Sequence, residues 1–215
     1  MTDAVPAKRY TRGERLADAA VHVVGLVFAA VAAPTLVILA AMSGEAARLA
    51  AVSVYAATLV AMLAFSACYH MAPEAQARDW LRRLDHGAIF LKIAGTYTPF
   101  AVISLRDGGG GPLLLGVWTV AMIGFAVKIA APRRFEIGSI ALYLALGWAI
   151  VFVADEAVAA FPPVTLGLMV AGGVVYTVGV LFHLWDALPY QNAIWHLHVF
   201  AATACFYAAI ALEIL

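Results

Sequence analysis

Residues 21–42 read VHVVGLVFAAVAAPTLVILAAM, 22 positions with a single titratable side chain, His22, and no formal charge. An α-helix rises 1.5 Å per residue, so about 20 apolar residues cross the ~30 Å hydrocarbon core of a bilayer. A barrel strand would alternate apolar and polar positions, whereas this run is continuously apolar. In lipid a helix satisfies its own backbone hydrogen bonds, which makes it the structure such a run demands. Six more runs of the same character follow, at 49–69, 87–105, 112–131, 137–154, 164–182 and 193–212. Short connections join them and carry helix breakers: Gly44, the run Gly108 to Gly111 with Pro112, Pro132, and the pair Pro162 and Pro163. The expected fold is all-α, a seven-transmembrane helical bundle. Residues 1–20 read as a polar N-terminal segment and 21–215 as one membrane domain. Only 71–84 leaves room for a short amphipathic piece between spans, and no internal repeat points to an inverted-repeat transporter.

Composition agrees. Of 215 residues, 65% are hydrophobic and 12% charged, with a mean hydropathy of +0.93. So few charges cannot cover a globular surface in water, and lipid takes the place of water around much of the chain. A formal net charge of zero gives no basis for nucleic-acid binding. Cys68 and Cys205 both fall inside apolar runs, so two buried inert thiols are expected rather than a disulfide. The polar first twenty residues contain no short apolar stretch with a small-residue cleavage site, and no cleaved signal peptide is expected.

The titratable residues gather at one end of the runs. Glu14, Asp18 and His22 lead into the first, Ser66 and His70 close the second, and Asp85 and His86 open the third. His183 and Asp186 close the sixth, and Asn192 and His196 open the seventh. In a chain that weaves through a bilayer, all of these ends share one side. The same side carries Lys8, Arg9, Arg12, Arg15, Arg78, Arg82, Arg83, Arg133 and Arg134, against Arg48 and Arg106 on the other. By the positive-inside rule the N-terminus and the polar cluster are cytoplasmic, and seven spans put the C-terminus outside. Ionisable groups are costly in hydrocarbon, so a cluster of them at one depth marks a functional site.

Spacing turns the cluster into geometry. Glu14, Asp18 and His22 recur every four residues, as do Ser66 with His70 and Asn192 with His196, so each set shares a helix face. Lys92 lies two turns beyond Asp85 on the same face, deeper in the span. Side chains converging from several helices are how bundle cores build metal sites. Neutral imidazoles with a carboxylate suit zinc, which lowers the pKa of a bound water to about 7. Plainer roles fit other residues. His198 sits roughly 200° round the helix from His196 and reads as a packing residue, and His86 points about 100° away from Asp85. Lys92 either neutralises a neighbouring acid or takes part in catalysis. The glycine run 108–111 is a loop with no strand before it, not a phosphate cradle.

The run Glu14-x3-Asp18-x3-His22, the pair Ser66-x3-His70 followed by Asp85, and Asn192-Ala-Ile-Trp-His196-Leu resemble the three signature motifs of the progestin and adipoQ receptor (PAQR) family. Its bacterial hemolysin III branch, also described as membrane homeostasis proteins, is the nearest in pattern; Asp85-His86-Gly87 and Tyr97-Thr98-Pro99-Phe100 also look like that branch. The resemblance covers essentially the whole chain. It implies a multi-pass protein of the bacterial inner (plasma) membrane with zinc near the inner leaflet. One histidine of the second helix and two of the seventh hold the metal, and an aspartate after the second helix holds or activates its water. Carried over, His70 and His196 match two ligands, Asp85 the aspartate and Ser66 the motif serine. Two positions depart from the pattern. Asn192 stands where the family has its third histidine, and an amide binds zinc poorly. Asp18 stands where asparagine is usual. One reading is a re-cut site of His70, His196 and a carboxylate, Asp85 or Asp18, with His22 or His183 as a further source of nitrogen. The other is a metal-free polar cluster.

Three functions follow from the resemblance. The first is a zinc-dependent hydrolase of a lipid amide or related ester, with Asp85 activating water and Ser66 or Lys92 supporting the oxyanion. The second is a non-enzymatic sensor or regulator of membrane state that binds a lipid-like ligand. The third is a pore-forming cytolysin, which the hemolysin name implies. A toxin that inserts from water should first be soluble, and this chain is built as a resident bundle. Membrane lipids are its expected partners, and the oligomeric state is left open.

Overall fold

The computed structural model describes residues 10–72, 75–131 and 135–215. Lys8, Arg9, Pro132, Arg133 and Arg134, used above for orientation and loop breaks, lie outside the described residues. The helices are α1 (Arg12–Met42), α2 (Ala46–Met71), α3 (Ala75–Pro99), α4 (Gly110–Ala130), α5 (Glu136–Gly147), α6 (Ala154–Ala160), α7 (Pro163–His183) and α8 (Gln191–Ile214). A short 3-10 turn, Ala149–Val153, joins α5 to α6, so these helices form seven segments long and apolar enough to span a membrane. The chain is an all-helical, seven-span membrane protein.

The first helix begins well before its apolar run because Thr11 and Glu14 form a capping box. The Thr11 hydroxyl accepts from the Glu14 N–H at 3.2 Å, and the Glu14 carboxylate accepts from the Thr11 N–H at 2.7 Å. Asp18 and His22 therefore sit on a formed helix, one turn apart. The third helix likewise starts early, at Ala75, and absorbs the piece between spans that could have been separate. At its other end Pro99 supplies no N–H to the ladder, and the helix runs on as a wide π turn over Phe100–Ser104.

Neighbours in sequence pack side by side from α1 to α4, α7 lies along α8, and α8 returns to α1. The centre is α3, whose span is 67% buried, against 22% for the fifth span. A close approach between α3 and α4 depends on Gly124, where a Cβ would lie 2.5 Å from Phe90 Cζ. The fifth span is attached differently. Its helical ladder breaks after Gly147, and Tyr97 of α3 fills the gap. The Tyr97 hydroxyl donates to the Gly147 carbonyl at 2.9 Å and accepts from the Ile150 N–H at 3.0 Å. Tyr143 donates to the His86 carbonyl at 2.7 Å, and Arg82 pairs with Glu136. A cavity of about 590 Å³ lies inside this arrangement, lined chiefly by apolar side chains.

The two thiols differ from expectation. Both are free, but Cys68 is exposed on the outside of the bundle and Cys205 is half-buried. An apolar thiol is accommodated on a lipid-facing surface much as in a core.

Candidate metal centre

Three imidazoles meet where α1, α2 and α8 come together at one end of the cavity. His22, His70 and His196 each offer a nitrogen, and these nitrogens lie within 4.8 Å of one another. Their ring centroids are 4.4 to 5.0 Å apart. Behind the rings sits Asp18. His196 Nδ1 is 2.7 Å from Asp18 Oδ1 and His70 Nδ1 is 3.0 Å from Asp18 Oδ2. His22 Nδ1 lies 2.8 Å from the Asp18 backbone carbonyl one turn earlier.

One residue thus presents an acceptor to the same nitrogen of all three rings. A carbonyl oxygen and an ionised carboxylate accept hydrogen bonds and do not donate them, so each Nδ1 carries the hydrogen. In a neutral imidazole the lone pair is then on Nε2. That is the arrangement a metal-binding histidine needs, with its other nitrogen donating to a carboxylate or carbonyl. His22 Nε2 lies 3.2 Å from Ser66 Oγ. The residues fit zinc by type and number. Three nitrogens around a tetrahedral ion with bonds of about 2.0–2.1 Å would be roughly 3.4 Å apart, so the three side chains, each offering one nitrogen within 4.8 Å of the others, would draw together around a bound ion.

The other residues singled out in the sequence fall around this cluster at different distances. Ser66 is buried beside His22, and the buried Asp85 carboxylate faces the Ser66 hydroxyl. Asn192 is not among the three converging rings; its side-chain oxygen accepts from the Tyr10 hydroxyl at 3.5 Å. Burial pushes the Tyr10 hydroxyl above its usual pKa, so it stays a donor at neutral pH. Glu14 lies nearer the chain's start, where its carboxylate accepts from the Tyr190 N–H at 3.1 Å. That contact braces Tyr190, whose φ of 58° is unusual for a residue with a side chain. Lys92 faces the same cavity from two turns deeper, apart from the cluster. His183 packs at a tilt against Trp195, and His198 bonds the Ile194 carbonyl and packs on Phe182. His86 reaches back to within 3.9 Å of Asp85 and also lines the cavity.

Sequence reasoning missed Tyr10. It lies four residues before Glu14 and so extends the recurrence that marks Glu14, Asp18 and His22. Together with Asp18, His70 and Asn192 it lines a small second hollow of about 80 Å³ at the end of the bundle. The cluster therefore borders both this hollow and the large cavity.

A seven-span helical membrane protein with a histidine and carboxylate chamber at one end of a lipid-sized cavity is the class that fold and site define. A family model described as "Haemolysin-III related" matches residues 13–207. The chain belongs to that family. It is 35% identical over 202 residues to "Hemolysin-3" of Bacillus cereus, covering 94% of this chain and 92% of the relative. It is 31% identical over 198 residues to "Hemolysin-3 homolog" of Bacillus subtilis (strain 168), covering 92% and 93%. "Monocyte to macrophage differentiation factor" of Homo sapiens is 28% identical over 148 residues, 66% of this chain and 54% of that protein. No solved structure matches the chain. Bacillus relatives of near-equal length and seven apolar spans make this a multi-pass integral protein of the bacterial plasma membrane.

Proposed function

We propose that His22, His70 and His196 bind zinc, with Asp18 orienting the three rings, and that the site hydrolyses an amide or ester bond of a lipid lying in the cavity. The observation that carries this reading is the shared acceptor: Asp18 leaves Nε2 as the lone-pair nitrogen on every ring. His22 takes the ligand position that Asn192 leaves open relative to the family pattern. Zinc, when bound, would supply Lewis-acid polarisation and a water of lowered pKa. Asp85, buried beside Ser66, is suited to accept a proton from water at the site. The Ser66 Oγ–H is a donor for negative charge developing on the substrate oxygen. The apolar cavity receives the acyl chain and keeps bulk water from it, while the small polar hollow beside Tyr10 and Asn192 serves the head group.

The cluster end faces the cytoplasm on this reading. It carries Arg12, Arg15, Arg78, Arg82, Arg83 and Lys128, while Arg48 and Arg106 lie at the other end. We take 21–215 as one membrane domain that begins its first helix within the preceding cytoplasmic segment. The relatives are named for haemolysis, but a resident bundle of seven spans is a poor starting form for a secreted pore.

A metal-free sensor of membrane state is the second reading. In its favour, Asp18 already supplies an acceptor to every Nδ1 and Ser66 faces His22 Nε2, so the cluster is stable without an ion. Zinc content per chain after mild detergent purification separates the two. We expect about one zinc per wild-type chain and almost none in His70→Ala, after which lipid amides and esters are screened for hydrolysis. No zinc in either protein removes the hydrolase reading and leaves the sensor.

A further inference from the structure

A second polar site lies in the cavity, away from the histidines. Lys92 is 3% exposed and lines the chamber. Its ammonium donates to Thr96 Oγ1 at 2.7 Å and stands 4.7 Å over the ring of Tyr55. Thr96 in turn donates to the Lys92 carbonyl at 2.7 Å, so this hydroxyl is committed to holding the lysine in place. An ammonium has three donors. One goes to Thr96, and the ring face offers cation–π attraction but no anion. Among the described residues no carboxylate pairs with Lys92, although the acidic Asp18 and Asp85 are both buried in this bundle.

Depth explains the missing partner. Lys92 reaches toward Thr96, eleven residues beyond Asp85 on α3, and Tyr55 is eleven residues before Ser66 on α2. At 1.5 Å per residue both offsets are about 16 Å, which sets the ammonium near the middle of a ~30 Å hydrocarbon core. The acidic residues of the spans lie toward one end or the other: Glu14, Asp18, Asp79, Asp85 and Glu136 at the cluster end, Asp155 and Glu156 at the far end, and there too Glu213 beside Ser104 and Thr165. A buried cation at that depth without a counter-ion is costly, and intramembrane charges of this kind mark ligand or ion paths.

We propose that Lys92 is an anion-recognition site, and that the cavity takes up a chain molecule bearing a carboxylate which pairs with Lys92 deeper in the bundle than the histidine cluster. The walls beside it are apolar, with Ile89, Ile93, Phe100 and Met169 lining the same cavity. A small hydrated ion would lose its water there with little in return, whereas a carboxylate on an apolar chain buries both parts favourably. From the function proposed above, this inference borrows only that the cavity admits a chain molecule. It needs neither metal nor hydrolysis.

The test is binding of oleate and of oleyl alcohol, the same chain without the charge, to the full chain in nanodiscs of neutral lipid. Wild type should hold oleate roughly thirtyfold or more tighter than the alcohol, the range expected for a buried charge pair. Lys92→Met should bring the two ligands to parity, and Lys92→Arg should keep the preference. Should Lys92→Met fail to fold, Lys92→Gln serves the same purpose. His70→Ala should leave the preference intact whether or not zinc is found, which separates this inference from the hydrolase reading. An oleate preference lost in His70→Ala but kept in Lys92→Met would overturn the proposal and place carboxylate recognition at the histidines. Equal binding of acid and alcohol by wild type would overturn it as well.

Discussion

The two polar sites of the cavity meet the same difficulty in opposite ways. At the cluster end, three imidazoles and two carboxylates are crowded together, and the Asp18 side chain and carbonyl supply an acceptor to each ring. At mid-depth, Lys92 stands with one hydroxyl and one ring face for company. A satisfied network rigidifies and orients its members. A buried lysine without a carboxylate partner loses its hydration with little in return and lowers the stability of the fold until something arrives to pair with it. The first site is built to hold a geometry, the second to select a ligand.

The largest test of that contrast concerns the third ring. His22→Ala should remove bound zinc almost completely, while Asn192→Ala should leave about one zinc per chain, read by metal analysis of the purified proteins. Zinc kept in His22→Ala and lost in Asn192→Ala would mean that the amide, not His22, completes the set. Next in size is Asp18→Ala. It leaves the His70 and His196 rings free to rotate, while His22 keeps the backbone carbonyl, and should weaken zinc 10- to 100-fold in chelator competition, as loss of an outer-shell carboxylate does. The same change should also destabilise the metal-free protein by about 2 kcal/mol or more, since buried N–H groups lose their acceptors.

Lys92→Met should act in the opposite direction. Replacing an uncompensated buried charge with a chain of similar volume should stabilise the ligand-free protein by about 1 kcal/mol or more in thermal unfolding. A loss of stability there would show that Lys92 has a structural role and would narrow the contrast between the sites. The smallest effect belongs to neither site. Ser104→Ala removes one of two hydroxyls on Glu213 at the far end and should cost about 1 kcal/mol without changing zinc content.

The seven spans were legible in the sequence because length and continuous apolarity are properties of each run alone. So were the faces shared by Asp18 with His22 and by Ser66 with His70, which a four-residue spacing determines. The convergence of His22 with His70 and His196 was open in the sequence only as one alternative beside His183, Asp85 and Asp18. It depends on the register and rotation of α1 against α2 and α8, which no spacing within one helix encodes. The spacing put Asp18 in the cluster but could not show that its carbonyl and both carboxylate oxygens face three different rings. Nor could it show that no carboxylate among the described residues pairs with Lys92, because that is a statement about which residues of other helices share its depth. The break after Gly147 was hidden by the even apolarity of 137–154; the backbone groups it frees bond a hydroxyl on another helix, Tyr97.

That break has a consequence for the range of molecules the cavity admits. The fifth span is tied to α3 through Tyr97, Tyr143 and the Arg82–Glu136 pair, and little of it interlocks with its neighbours. Point attachments of this kind let a wall bow outward without dismantling a packed interface, and local opening costs less where few buried contacts must be broken. The chamber is therefore stiff where α1, α2, α3 and α8 meet and compliant along one side. A guest's polar ends would be judged strictly and its girth leniently, so chains of differing unsaturation or branching could share one site.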